Sequence, residues 1–321
     1  MKNQTPFGGR DLAAALAVVV IWGLNFVAMK FSLRDFTPFQ LGTFRYIFAV
    51  LPLVLFVRRP QLSWGWLVPA GLAQLGQFGL LFVALQVGMT AALASVLMQT
   101  QVFFTTLLGV FLLGERLSGA MRAGLVLAAL GLVCFGLNFA DHGGTGGITL
   151  LALALNLMAA LMWAASNIIA RKAQAAQPGY DALQFVVWMS LVPILPFAAM
   201  AWLFEPEATR WQWMHASVGG WLGVAYLGWF ATIAAYALWT GLLKRHAANR
   251  VAPFSLGVPV IGLAAGMLTL GEGVSAWQWA GSACIIAALV VVMYGPRLWA
   301  GLRPLSRAAS GPAAPGANSG K

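Results

Sequence analysis

Polar side chains set into long apolar runs are the residues of this chain whose types and spacing could do chemistry. Trp22 and Asn25 stand three apart, and Gln74 and Gln77 repeat that spacing. On a helix each pair shares a face. Ser95, Gln99 and Thr106 form one stripe, with Gln101 on a different face of the same run. Asn156, Trp163 and Asn167 align at spacings of seven and four. Trp229, Thr232, Tyr236, Trp239 and Thr240 crowd one side of a later run, and Ser255 stands in the next. Arg45 is the one full charge well inside an apolar run. Groups of this kind bind and orient a small solute through hydrogen bonds and ring contacts. An amide or hydroxyl in an apolar helix has two roles open to it, a bond to a neighbouring helix or contact with a solute in a cavity. Arg45 also has two, a partner for a solute carboxylate or a strut at a helix C-terminus.

Catalysis is poorly served by the same inventory. A serine nucleophile needs a base beside it, but His142, His215 and His246 all fall between apolar runs and no Gly-x-Ser-x-Gly occurs. Metal ligation needs clustered histidines, cysteines or carboxylates. Cys134 and Cys284 each lie alone in an apolar run, so neither a metal site nor a disulfide framework is expected, and no cofactor is called for.

Composition dictates the elements that must hold these residues. Of 321 residues, 60% are hydrophobic and 8% charged, against about 25% charged in a soluble domain. Mean hydropathy is +0.82. Too little charge is present to cover a soluble surface, and too much apolar content for a disordered chain. The apolar runs have the length of spanning helices, not of barrel strands. Ten are expected, at about 12–29, 38–57, 66–87, 91–113, 120–139, 148–170, 182–204, 217–241, 251–270 and 276–294. The expected fold is an all-α polytopic membrane protein. Residues 1–11 form a short leading segment and 12–140 the first five-helix half. Residues 148–295 form the second half, and 296–321 a disordered Pro-, Ala-, Gly- and Ser-rich tail.

A formal charge of +11 invites a nucleic-acid partner, but its distribution fits the positive-inside rule instead. With the N-terminus in the cytoplasm, fifteen of the nineteen Lys and Arg are cytoplasmic. Lys30, Arg34 and Arg210 fall on the far side, and Arg45 within a span. Both termini are therefore expected in the cytoplasm, with the lipid bilayer and a small solute as partners and no nucleic acid. Trp64 and Trp66, Trp211 and Trp213, and Trp277 and Trp279 read as interfacial anchors. Lys30 and Lys172 lie at span ends, where snorkelling to the interface is the simplest reading.

The chain repeats itself. Leu113-Gly114-Glu115 recurs as Leu270-Gly271-Glu272, an offset of 157 that also places Gly109 on Gly266 and Gly124 on Gly281. Trp22 and Asn25 are echoed by Trp163 and Asn167, followed by Lys30 and Lys172. Five spans per half is odd, so the second half enters the membrane from the opposite side. Inverted repeats of this kind belong to alternating-access carriers with a midplane site. Spans 1, 3, 4, 6, 8 and 9 carry the polar stripes and are expected to surround a pathway. Spans 5 and 10 are nearly bare and are expected outside it. Pro253 and Pro259 in span 9, and Pro193 and Pro196 in span 7, are placed to bend those helices.

These features resemble the drug/metabolite transporter superfamily in its EamA-like branch. The resemblance rests on Trp22-Gly23-Leu24-Asn25-Phe26, Phe44-Arg45-Tyr46, Leu113-Gly114-Glu115-Arg116, the stretch from Trp163 to Asn167, and Leu270-Gly271-Glu272. Met98 to Phe104 and Arg250 to Leu256 are most similar to the cysteine and O-acetylserine exporters of that branch. Gly273 departs from the pattern, standing where the first repeat has Arg116. The resemblance covers about residues 12–295. It implies secondary-active export of small amino acids or related metabolites across a bacterial inner membrane; the sequence leaves monomer and homodimer both open. Candidate cavity residues are Trp22, Asn25, Arg45, Gln77, Gln99, Gln101, Trp163, Asn167, Tyr236, Trp239 and Ser255. The lack of a mid-span acid leaves the energy source open and favours a neutral or zwitterionic solute. Export of another metabolite or drug, aromatic for instance, and a non-transporting membrane scaffold are the alternatives.

Overall fold

The computed structural model describes residues 8–142, 148–246 and 248–301. Among them are ten helical stretches long and apolar enough to cross a bilayer. Spans 1 to 5 are Gly9–Ser32, Pro38–Leu55, Trp64–Gln86, Ala91–Leu113 and Gly119–Asn138. Spans 6 to 10 are Leu150–Ala176, Ala182–Phe204, Val218–Leu242, Ala252–Leu270 and Ala276–Gly295. Span 1 starts before the apolar run because Asp11 sits in its first turn and accepts from the Gly8 N–H. Span 6 outlasts its apolar run because Arg171-Lys172-Ala173-Gln174-Ala175-Ala176 are good helix formers. The helix of span 10 runs on to Gly301. The N-terminal and C-terminal ends of the expected tails, 1–7 and 302–321, lie outside the described residues.

Large apolar side chains such as Leu16, Phe111, Leu130, Leu195 and Leu268 point outward. A soluble protein rarely exposes so much, and a lipid-facing surface requires it. The main interior cluster runs from Phe26 and Met29 through Tyr46, Phe78 and Phe82 to Phe197 and Leu227, with smaller clusters around Leu67 and Phe185 and around Phe103 and Leu289.

Spans 5 and 10 pair closely with each other. A Cβ on Gly131 would lie 2.9 Å from the Gly281 carbonyl oxygen, and one on Gly281 would lie 2.9 Å from that of Gly131. Small residues let two backbones meet where lipid offers no hydrophobic drive for association.

The acids cap helix starts, where N–H groups lack intrahelical partners and the dipole favours negative charge. Glu205 accepts from the Phe39 N–H at 3.1 Å, at the head of span 2. Burial there pushes its carboxyl above the ordinary carboxylate range, against the opposing pull of its hydrogen bonds. Asp181 accepts from the Leu183 and Gln184 N–H groups at the head of span 7. Asp35 accepts from the N–H and hydroxyl of Ser217, just ahead of span 8. Asp11 instead faces Arg245 at 3.0 Å and His246 at 2.9 Å.

The two Leu-Gly-Glu turns are the same structure. Gly114 and Gly271 end spans 4 and 9 with φ of 68° and 65°, the left-handed region that glycine enters without strain. The following Glu N–H then bonds the carbonyl six positions back, that of Gly109 or Gly266.

Replacing Gly131 with Leu is expected to force spans 5 and 10 apart, at a loss of about 1–3 kcal/mol. The check is a lowered melting temperature and poorer yield of monodisperse protein, with Gly136→Leu, where a Cβ meets nothing within 4 Å, as the tolerated control.

Candidate functional site

Between the two halves lies a cavity of about 450 Å³, within the usual range for a small-molecule site. All eleven sequence candidates line it: Trp22, Asn25, Arg45, Gln77, Gln99, Gln101, Trp163, Asn167, Tyr236, Trp239 and Ser255. So do Tyr46, Gln74, Ser95, Ser190 and Thr232.

Three backbone irregularities position these groups. Span 4 passes through a 3₁₀ turn at Met98–Thr100. This tighter winding, about 3.0 residues per turn, shifts the phase of the helix beyond it. It brings Gln101 to the cavity along with Gln99, contrary to its expected separate face, and leaves Thr106 off the lining. Gln101 Oε1 accepts from Asn167 Nδ2 at 2.8 Å, joining spans 4 and 6. Span 9 opens with a 3₁₀ stretch, Ala252–Leu256, with Pro253 in its first turn. Two carbonyls of span 9 accept across the halves: Gln99 donates to that of Ser255, within the 3₁₀ stretch, at 3.3 Å, and Ser95 to that of Pro259, in the α-helix beyond it, at 3.4 Å. Span 8 is π-helical over Tyr226–Ala234. There Thr232 donates to the Leu227 carbonyl five residues back, and the Ala231 carbonyl accepts from Trp22 Nε1 at 3.0 Å. The wider turn sends Trp229 outward, 45% exposed and donating to the Leu51 carbonyl, so it leaves the expected stripe. Thr232, Tyr236 and Trp239 remain on the cavity.

Trp22 meets Tyr236 edge-on at 5.6 Å and tilts against Trp239 at 5.5 Å between ring centroids. This aromatic wall faces a polar floor. Arg45 is 3% exposed and donates to Asn25 Oδ1 at 3.4 Å and Thr232 Oγ1 at 3.3 Å. Its guanidinium carbon lies 3.9 Å from the centre of the Phe78 ring. Gly228 lets span 8 approach span 2 here, since a Cβ on it would lie 3.0 Å from the Arg45 carbonyl oxygen.

Some expectations need correcting. Span 10 is not wholly outside the pathway, because Leu289 and Met293 wall the cavity. Span 7 reaches it through Val186, Met189 and Ser190, and span 2 through Arg45 and Tyr46. Asn156 is fully buried and off the cavity despite its alignment with Asn167. Lys30, at the end of span 1, has its Nζ donating to the Leu85 and Met89 carbonyls at 2.5 and 2.9 Å, satisfying the C-terminal end of span 3. Tyr46 carries no signal of its own in the sequence. It donates to Gln74 Oε1 at 3.1 Å, and only its place beside Arg45 points to the same region.

The EamA-like transporter family matches residues 11–137 and 150–294, one copy in each half. The chain belongs to the EamA-like transporter family. It is thus a multi-span membrane transporter and not an enzyme. Among curated relatives, a probable amino-acid metabolite efflux pump of Salmonella typhimurium is 38% identical, over 90% of this chain and 96% of its own length. A protein of the same description from Escherichia coli is 37% identical over the same shares. An uncharacterized transporter of Bacillus subtilis is 26% identical over 81% of this chain and 88% of its own. A solved crystal structure at 20% identity superposes with a TM-score of 0.60, covering 92% of this chain and 99% of that one. It shows the shared fold.

In this EamA-like chain the two ends of the cavity differ. At one end Glu272 accepts from the Ala91 and Ala92 N–H groups, both at 2.8 Å, and so ties span 9 to the head of span 4. Glu115, in the equivalent turn at the other end, pairs with Arg171 of span 6 and stays half exposed. Trp239, Ala252 and Met293, near that second end of their spans, still line the cavity. At the first end the Glu272 cap joins the two halves, and at the second the Glu115 carboxylate bonds Arg171.

Glu272→Gln is expected to weaken that inter-half cap by about 0.5–2 kcal/mol, the usual worth of a helix cap. With Cys134 and Cys284 replaced by Ser, a cysteine at Met89 should label faster with an impermeant thiol reagent in the Gln variant. Unchanged labelling would mean that the cap does not hold the end shut.

Proposed function

We propose that this chain is a secondary-active exporter of small amino acids or related metabolites, of the cysteine and O-acetylserine kind, across a bacterial inner membrane. The observation that carries the reading is the cavity itself, which among the described residues draws neutral hydrogen-bonding groups from both halves, with one cation and no carboxylate. The efflux-pump descriptions of the 37–38% identical relatives support the substrate class. The basic loops support cytoplasmic termini, which puts the Glu272 end outside and the Glu115 end on the loading side. Solute enters from the cytoplasm and meets Asn25, Gln99, Gln101 and Asn167. The halves then rock so that the Glu272 cap opens and its counterpart near Glu115 closes.

A second reading, export of a solute with an aromatic or bulky apolar side chain, is favoured by the Trp22, Tyr236 and Trp239 wall.

Uptake of labelled cysteine and O-acetylserine into inverted membrane vesicles tests the proposal. Uptake above that of empty vesicles, collapsing with a protonophore, is the expected result. Asn25→Leu, Gln99→Leu and Asn167→Leu should each lower it about tenfold or more while the protein remains folded. That loss corresponds to about 1.4 kcal/mol, a single hydrogen bond's worth of solute binding. No uptake with folded protein would remove these solutes, and uptake of phenylalanine instead would select the second reading.

A further inference from the structure

The partners of Arg45 separate its two possible roles. Both of its hydrogen bonds go to side-chain oxygens of neutral residues, at the long end of the range, and neither goes to a backbone carbonyl. It is not a helix-end strut. Its Nε has no partner, although the side chain is 97% buried. Among the described residues no carboxylate lines the cavity, and the one acid within the ten spans, Asp11, is in the first turn of span 1 and engaged with Arg245 and His246. A buried cation with neutral neighbours is unfavourable, and fixed oxygens of Asn25 and Thr232 plus the Phe78 ring offset only part of that.

A second unpaired group lines the same cavity. Gln77 Oε1 is buried and has no donor. It neighbours Phe78, whose ring lies against the Arg45 guanidinium. Gln74, one turn earlier, already spends its oxygen on Tyr46. The cavity lining thus holds an unpaired cationic donor and an unpaired neutral acceptor, each lacking what one end of a zwitterion supplies.

We propose that Arg45 is the carboxylate anchor of the cavity and that the carrier selects α-amino acids by their free carboxylate, with Gln77 Oε1 accepting from the ammonium group. The proposal rests on the cavity being the solute site. A guanidinium fork binds a carboxylate through two parallel N–H bonds, whereas an amide or ester brings no charge and an amine none of the right sign. The Trp22, Tyr236 and Trp239 wall is left for the side chain, so acceptance follows the α-carbon groups more than side-chain chemistry.

The test uses the full-length protein in nanodiscs, with O-acetyl-L-serine, L-phenylalanine, L-phenylalaninamide and phenethylamine as probes, read by calorimetric binding and by melting temperature. Both acids are expected to bind, with the amide and amine weaker by about a hundredfold or more, the loss seen when one partner of a buried charge pair is removed. Arg45→Gln should lose acid binding to the same extent while its ligand-free melting temperature stays level or rises, because an uncompensated charge has gone. Arg45→Lys should keep part of the binding. Amide binding equal to acid binding, or full acid binding by Arg45→Gln, would overturn the proposal. So would a ligand-free melting temperature that falls sharply in both variants, which marks a structural cation. If no probe binds and vesicle uptake of O-acetylserine is also absent, the amino-acid reading of the cavity fails along with the anchor. If uptake persists while amide and acid bind alike, the anchor alone fails.

Discussion

The centre of this structure is built around keeping one guanidinium charged and dry. Arg45 draws in Asn25 from span 1, Phe78 from span 3 and Thr232 from span 8. Local backbone geometry brings span 8 to this point. Thr232 sits in a π-helical stretch that turns its hydroxyl back along its own span and leaves its oxygen free to accept. Gly228 removes the side chain that would keep span 8 away from the Arg45 backbone. The described residues around the charge supply neutral oxygens and a ring face but no anion. A carrier that satisfied this charge with its own carboxylate would hold a closed ion pair and give a carboxylate solute little to gain.

The second organising constraint is that helix ends in and near a membrane need partners. The few acids serve this need: Glu205, Asp181, Asp35 and Glu272 all accept from N–H groups at or near the head of a span. Because Glu272 caps a span from the other half, its cap is a joint between halves. The repeat supplies an equivalent turn at Glu115, whose carboxylate bonds Arg171 of span 6. One set of interactions, made at one end at a time, is the simplest device by which an inverted repeat presents a central cavity to either side in turn.

Much of this is legible in the sequence, because the bilayer makes polar side chains informative. Ten apolar runs set the spans, and an odd five per half set the inversion. Every candidate from Trp22 to Ser255 reaches the cavity because an isolated polar group in a span has few places to go. The illegible parts are departures from the regular helix. Nothing in Tyr226 to Ala234 announces a π-helix, so regular spacing puts Trp229 in a stripe that it leaves. The 3₁₀ turn at Met98–Thr100 contains no proline. The 3₁₀ stretch of span 9, Ala252–Leu256, has Pro253 in its first turn, and the 157-residue offset places Met98 and Gln99 on its last two residues. The partners of Lys30 are equally invisible to a reading of one helix alone, since the carbonyls that claim it belong to span 3 and the turn after it.

The most direct measurement is an experimental structure of the protein with a bromine-labelled amino acid such as p-bromo-L-phenylalanine bound. Bromine scattering then fixes the side-chain end independently of the polar end. The account expects the carboxylate about 2.7–2.9 Å from the Arg45 guanidinium nitrogens, the ammonium against Gln77 and the bromophenyl ring against Trp22, Tyr236 and Trp239. A ligand seated in the cavity with its carboxylate away from Arg45, and Arg45 still held only by Asn25 and Thr232, would contradict it.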